Sequence, residues 1–238
     1  MNELQFSIGI LSWRGYESLK NSLISYEKNG LSQLTNKKFI CLPEYNGEGI
    51  KIANKFNYKP ILIRENIGIL GGFKELAKQM PKGPLLLLEN DLELIENTKT
   101  TFYQIQQSID NLYKHNAIQV RLRSRFDPGE PFVGLVKYKK YWSNHFFCSI
   151  KRFFRPEKAN KLIGTSIYSI QNPEIRHPKY IKKLTNGFYL VPSSTLNWAN
   201  LAILVDRDSY LRIIIKRAEE TKSKKYINGF KNVEIELN

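Results

Sequence analysis

Apolar and polar positions alternate and then run together over residues 4–12, LQFSIGILS, as in a strand buried in a sheet. Behind it, Tyr16, Leu19, Leu23 and Tyr26 recur at helical spacing, and Gly30 marks a stop. The alternation of element types continues. KFICLP (38–43) predicts a second strand ending at Pro43-Glu44, residues 50–56 a short helix, and KPILIR (59–64) a third strand. Gly71-Gly72 then open a helix with Phe73, Leu76, Ala77 and Met80 on one face, ended by Pro81 and Gly83. LLLLE (85–89) predicts a fourth strand. Phe102, Ile105, Ile109 and Leu112 mark a helix, and AIQVRLRSRF (117–126) a fifth strand with Arg121, Arg123 and Arg125 on alternate positions. From 126 to about 187 regularity is lost, beginning with the turn-rich FDPGEPF. It returns at GFYLVPSS and at LAILVDRDSYLRIII, a strand-like run leading into a helix.

Strands alternating with short helices predict an α/β fold, a mainly parallel sheet with helices on both faces. Ligands of such sheets bind beyond the carboxyl ends of the strands. Ser12, Glu44, Asn66 and Asp91 each lie at or just past such an end. Asp91-Leu92-Glu93 follows a buried apolar run, and hard cations such as Mg2+ and Mn2+ take carboxylate oxygens together with substrate phosphates. Alone, the triplet also fits an ordinary polar strand end. Two similar triplets occur. Asp206-Arg207-Asp208 reads as a helix N-cap region with Arg207 in an ion pair, and Glu234-Ile235-Glu236 lies farther along the chain. Asn66-Ile67-Gly68 with Gly71-Gly72 supplies glycines between a strand and a helix, where backbone can approach an anion closely. The pattern is neither GxGxxG nor a Walker A loop.

The 238 residues fit one domain, with 1–116 and 117–238 as its halves and an insertion at about 126–187 in the second. The net charge of +15, from 37 basic and 22 acidic residues, favours anionic partners: nucleotide phosphates, nucleic acid or an anionic membrane. It concentrates in 121–183. Cys41 and Cys148 are too few for a disulfide framework. Glu3 stands where a secretory signal would be basic, and no apolar run is long enough to span a bilayer. A cytoplasmic protein is expected. His115, His145 and His177 show no metal-ligand spacing and are expected on the surface or in loops. Trp198 is expected in the core, or stacking on a sugar. Residues 137–155, KYKKYWSNHFFCSIKRFFR, interleave aromatic and basic side chains. They fit a solvated basic face, an acceptor or lipid-head-group contact, or a membrane-surface helix.

Several of these stretches together resemble a known family. FSIGILSWRGYESLKNSL, LPEYNGEG, ENIGILGGFKELA and LLLLENDLEL resemble, in order, four segments of family 2-type glycosyltransferases with the GT-A fold. These are the opening strand and helix, the segment after the second strand, the "N-x-G" segment, and the strand bearing the metal motif. LAILVDRDSYL resembles a later strand and helix start. The resemblance covers residues 5 to about 100 and, loosely, 187–215, but not the basic middle. It implies a GT-A-like (Rossmann-like) fold, with 1–116 as the half that binds a nucleotide-sugar donor, by default a UDP-sugar, and 117–238 as the acceptor-binding half. It also implies Mn2+ or Mg2+, a glycan, lipid-linked or protein acceptor, and inversion at the anomeric carbon. Glu44 then takes the place of the acid on the nucleotide base, and Ser12, Arg14, Asn66, Gly71, Gly72 and Asp91 line the nucleotide site. Asp91-x-Glu93 is the metal motif, with Glu93 in place of the usual second Asp. Gly72-Phe73 stand where an Arg-Asn pair is common. The family's base sits in a later Glu-Asp motif, which puts Glu234 or Glu236 forward, with Asp206, Asp208, Asp127 and Glu130 as further candidates.

Two rivals remain. A nucleotidyltransferase acting on a sugar phosphate would carry a basic, Gly-rich run after the first strand, where this chain has only Arg14 and Gly15. A nucleic-acid-binding module would place its charge over the sheet without acids at the strand ends, and would bind with steep salt dependence. No nucleic-acid partner is expected.

Overall fold

The computed structural model describes residues 4–129, 132–223 and 225–238. The chain opens with four strand–helix units. β1 (Ser7–Leu11) is buried along its whole length, and α1 (Tyr16–Lys28) turns Tyr16, Leu19, Leu23 and Tyr26 inward. β2 (Lys38–Pro43) and α2 (Gly47–Lys55) follow, the helix capped by Asn46, whose side chain accepts from the Glu48 and Gly49 amides. β3 (Lys59–Ile63) leads into α3 (Gly68–Gln79), which starts one turn earlier than the Gly71-Gly72 pair predicts. The cause is local: Asn66 Oδ1 accepts the Gly68 amide at 2.9 Å, and Gly68 takes φ +66, turning the chain into the helix. β4 (Pro84–Glu89) delivers Leu85 to Leu88, all buried, each worth about 2 kcal/mol of apolar burial. α4 (Thr98–Lys114) precedes β5 (Val120–Arg121). The fifth strand is thus two residues long, not ten.

Two compact units are resolved by their internal packing. One comprises Met1–Leu122 with Ala199–Asn238, the other Arg123–Trp198. The second unit, which contains the expected insertion, holds α5 (Val133–Trp142), α6 (Phe146–Phe154) and the short α7 (Pro156–Asn160) and α8 (Pro173–Arg176). β6 (Lys182–Lys183) pairs antiparallel with β7 (Tyr189–Leu190). Tyr138, Tyr141, Ala159 and Leu162 form a small core with Trp142 and Ile170 against it. Arg125, expected in a strand, instead donates to the carbonyls of Ile167, Ile170 and Gln171 at 2.6–2.7 Å and to the Tyr189 hydroxyl at 3.0 Å. That guanidinium holds a loop together, which a strand position would not allow.

His177 is buried in this unit, not on its surface. Its Nε2 lies 2.9 Å from the Tyr138 hydroxyl, and its ring meets Trp142 edge-on at 4.8 Å. Burial first, then the Arg176 charge, pull the imidazole down to about 4. The unfolded chain accepts this proton from about pH 6.5, the folded chain only near 4. The His177 contribution is therefore complete above that range and is lost as pH falls through it, by up to about 3 kcal/mol. His177→Gln should flatten this slope. Chemical unfolding of both proteins at about pH 7 and about pH 4.5 checks it, and a difference between them that does not change with pH contradicts it.

Returning to the first unit, β8 (Ile203–Asp206) runs into α9 (Arg207–Ser209), a π-helical stretch Tyr210–Ile215, α10 (Lys216–Glu220) and α11 (Val233–Leu237). The sheet order is β3-β2-β1-β4-β8-β5, with only β8 antiparallel to its neighbours. α3 packs so closely on β1 that a Cβ on Gly72 would stand 2.5 Å from Leu11 Cδ1. The chain has the α/β, Rossmann-like architecture that the strand–helix alternation predicts, with a mostly parallel six-stranded sheet and helices around it. Among the described residues no helix is long and apolar enough to cross a membrane.

Candidate functional site

The parallel strands β1 to β4 end along one edge of the sheet, and a polar residue follows each. At β1 the Ser12 amide continues the ladder to the Cys41 carbonyl at 3.0 Å. Its hydroxyl is consequently carried into the interior, where it has no hydrogen-bond partner among the described residues. An unsatisfied buried hydroxyl costs about 1–3 kcal/mol. The next two residues meet the end of β2. Trp13 Nε1 donates to Glu44 Oε2 at 2.7 Å, and Arg14 pairs with the same oxygen at 2.9 Å. Arg14 and Glu44 both adopt left-handed backbone, φ +59 and +49, each costing on the order of 1 kcal/mol for a residue with a side chain.

Beside this clamp is a cleft of about 150 Å³. Leu11, Trp13, Pro43 and Asn66 line it from the strand ends, Gly68 from the start of α3, and Phe230 and Asn232 from the later chain. Its lining is mainly apolar with a few polar atoms, the usual character of a small-molecule site. Gly68 is irreplaceable here on two counts. Its φ is +66, and an added Cβ would stand 2.4 Å from the Phe230 side chain. Gly68→Ala should therefore cost about 2–3 kcal/mol, from left-handed backbone strain plus overpacking. Urea unfolding measures this, and a loss under about 0.5 kcal/mol would show that Phe230 yields freely.

The stretch after β4 is bound to the first helical unit throughout. Asn90 Nδ2 donates to the Gly15 carbonyl at 3.0 Å, and a Cβ on Gly15 would collide with that amide. Ser22 Oγ donates to the Asn90 carbonyl at 3.1 Å, and the Tyr26 hydroxyl to the Leu92 carbonyl at 2.5 Å. Leu94 exchanges bonds with Asn29 and Ser25 at 2.6 and 2.9 Å. The backbone of 90–94 is thus fixed while the side chains of Asp91 and Glu93 stay exposed. Two exposed carboxylates on a fixed segment suit a hard divalent cation that keeps open positions for phosphate and water. Among the described residues no group of three or more His, Cys, Asp or Glu forms a closed metal cage.

Glu89, the last residue of β4, joins this group. Its carboxyl is raised to about 7, by burial first and then by the charges of Glu234 and Asp91. Glu234, from the later chain, thus shares one electrostatic neighbourhood with Glu89 and Asp91. Glu234 is held there by the Asn200 amide, which donates to its Oε1 at 2.8 Å. Glu236 is two positions on, about 200° around a helix and so on the other side of α11. It is buried, with Oε1 accepting from Ser223 Oγ at 2.6 Å.

Other expected residues are placed elsewhere. Asp206 pairs with Pro84, the first residue of β4, so Asp206 and Asp208 lie at the opposite sheet edge from Asp91, about 17 Å away along β4. There Asp206 caps α9 by accepting from the Ser209 amide at 2.9 Å, and Arg207 pairs with Asp208 at 3.2 Å, as the N-cap expectation has it. An antiparallel β8 makes Asp208 unsuitable as a base. Gly71 and Gly72 lie inside α3, so their amides serve the helix, and Gly72 serves helix–strand packing. The glycine facing the cleft is Gly68. Asp127 belongs to the other compact unit, and Glu130 lies outside the described residues. Trp198 is buried. Trp13, Glu89 and the segment 227–232 were not among the expected ligand contacts, while Gly68 belongs to the expected glycine segment. An aromatic directly after Ser12 and the clustered turn residues of NGFKN were the available signals.

Comparison with known proteins finds no matching family model and no matching curated protein. Among solved structures, S. aureus TarS 1-349 is 14% identical, with a TM-score of 0.41 over 54% of this chain and 38% of that one. A cytidylyltransferase from Leptospira borgpetersenii serovar Hardjo-bovis (strain JB197) is 17% identical, with a TM-score of 0.35 over 52% of each chain. The chain therefore spans about half or less of the length of these structures. Likenesses this distant carry no argument, and the fold class rests on the sheet order.

Proposed function

We propose that the chain is a glycosyltransferase that moves a sugar from a nucleotide-sugar, UDP-sugar first, to an acceptor hydroxyl with inversion. One observation carries this: the ends of β1, β2 and β3 together with the segment 227–232 line a mainly apolar cleft, while the exposed Asp91 and Glu93 follow β4 and Glu234 shares the electrostatic neighbourhood of Glu89. Trp13 and the apolar cleft wall would take the nucleotide base, with Asn66 as a hydrogen-bonding group in the lining and Glu44, which holds Trp13 Nε1, and Ser12 beside it. Asp91 and Glu93 would hold Mg2+ or Mn2+, which when bound offsets the charge of the diphosphate. Glu234 would accept the proton of the acceptor hydroxyl as that oxygen attacks the anomeric carbon. The bond from that carbon to the diphosphate oxygen breaks, and a nucleoside diphosphate leaves. Glu234 is preferred over Glu236 because the Ser223 bond and burial tie Glu236 down.

Product identity separates this from sugar-phosphate nucleotidyl transfer. Incubation with sugar nucleotides and a panel of glycan, lipid-linked and peptide acceptors is expected to release nucleoside diphosphate. Release of pyrophosphate from a nucleoside triphosphate plus a sugar phosphate, with no diphosphate from any sugar nucleotide, would reject glycosyl transfer.

A further inference from the structure

We infer that the outer face of α6 docks this chain on an anionic lipid bilayer. At about 100° per residue, Phe146, Phe147, Ile150, Phe153 and Phe154 fall within one third of the helix circumference. That third faces solvent: the four phenylalanines are 75%, 71%, 80% and 75% exposed, and Ile150 is exposed too. The opposite side is fixed to the protein. Cys148 is buried there, and Arg152 donates to the Tyr141 carbonyl at 2.5 Å and to Ser149 Oγ at 2.8 Å while lying over the Trp142 ring. The helix is thus held with its apolar face outward, the reverse of a surface helix packed on a core. So concentrated an apolar surface marks an interaction site.

Charge identifies the occupant. The unit Arg123–Trp198 has 14 Lys and Arg against 4 Asp and Glu, so it carries +10 of the chain's +15. Residues 132–155 contain Lys137, Lys139, Lys140, Lys151, Arg152 and Arg155 and no acid. A second copy docking on this face would bring like charge against like charge, which disfavours self-association. A bilayer rich in anionic lipid supplies both needs, since aromatic side chains enter the headgroup boundary while flanking cations meet phosphate. The inference is independent of the nucleotide site, whose residues belong to the other compact unit.

The test is co-sedimentation of the full chain with vesicles of phosphatidylcholine alone or mixed with phosphatidylglycerol. Binding to the anionic vesicles should exceed binding to neutral ones by about tenfold or more, and should fall as salt is raised. Phe147→Ser/Phe153→Ser/Phe154→Ser should weaken it about tenfold or more with unchanged circular dichroism, and Lys151→Glu/Arg155→Glu should weaken it as well. Absence of binding by the folded wild-type chain overturns the inference, as does equal binding by the triple variant. A dimer in sedimentation velocity that the triple variant dissolves, without vesicle binding, would instead assign the face to a second copy.

Discussion

Asp91→Ala is expected to lower sugar transfer about 10³-fold, the scale of losing one electrostatic anchor for a developing charge. The side chain is exposed and takes no part in the core, while the backbone around it is held by Ser22, Tyr26 and Asn29. The substitution therefore leaves the fold intact, with a stability change within about 0.5 kcal/mol. Removing the carboxylate takes away charge that no other residue of 90–94 except Glu93 can replace. Glu93→Ala should cost less, since one carboxylate can suffice when phosphates complete the shell. Steady-state turnover of a UDP-sugar alongside a thermal melt checks both halves. Wild-type turnover in Asp91→Ala, or a collapse of its melting transition, contradicts this assignment.

Glu234→Gln should lower kcat by about 10²–10⁴ while leaving donor KM nearly unchanged, the pattern of losing a general base. The amide oxygen can still accept from the Asn200 amide, so the local structure is preserved. It cannot take a proton. Glu236→Gln provides the contrast: its carboxylate is buried and bonded to Ser223, so the substitution should act on stability and spare kcat. If Glu234→Gln keeps more than about a tenth of wild-type kcat, proton acceptance lies elsewhere, and Glu89 at the end of β4 is the next residue to replace.

What the sequence shows of this molecule follows from how local each cause is. β1 to β4 and their helices are legible because apolar runs and helical spacing encode them within a few residues, as LLLLE and the Tyr16–Leu19–Leu23–Tyr26 face illustrate. The strand-end positions of Ser12, Glu44, Asn66 and Asp91 are legible for the same reason. The start of α3 is displaced because a side-chain bond from Asn66 and the φ of Gly68 decide it, not apolar period. The ten-residue fifth strand fails because Arg125 finds carbonyl partners on a loop more than forty residues later. His177 is hidden by Tyr138 and Trp142, which no local pattern connects to it. Asp208 is misplaced because sequence does not reveal that β8 runs antiparallel, which sends its end to the far edge of the sheet. The electrostatic coupling of Glu89 with Glu234 is tertiary in origin, since α11 comes far later in the chain than β4, and residues 227–232 line the cleft without any periodic signature.

Calorimetric titration of UDP into the full chain, with Mn2+ and again with a chelator, tests the central claim most directly when run on wild type and Asp91→Ala. The wild-type chain should bind UDP with Mn2+ and lose most of that affinity with the chelator, and Asp91→Ala should bind about tenfold or more weakly with Mn2+ present. Equal affinity with and without metal, or equal affinity in Asp91→Ala, would contradict a metal-assisted nucleotide site at the end of β4.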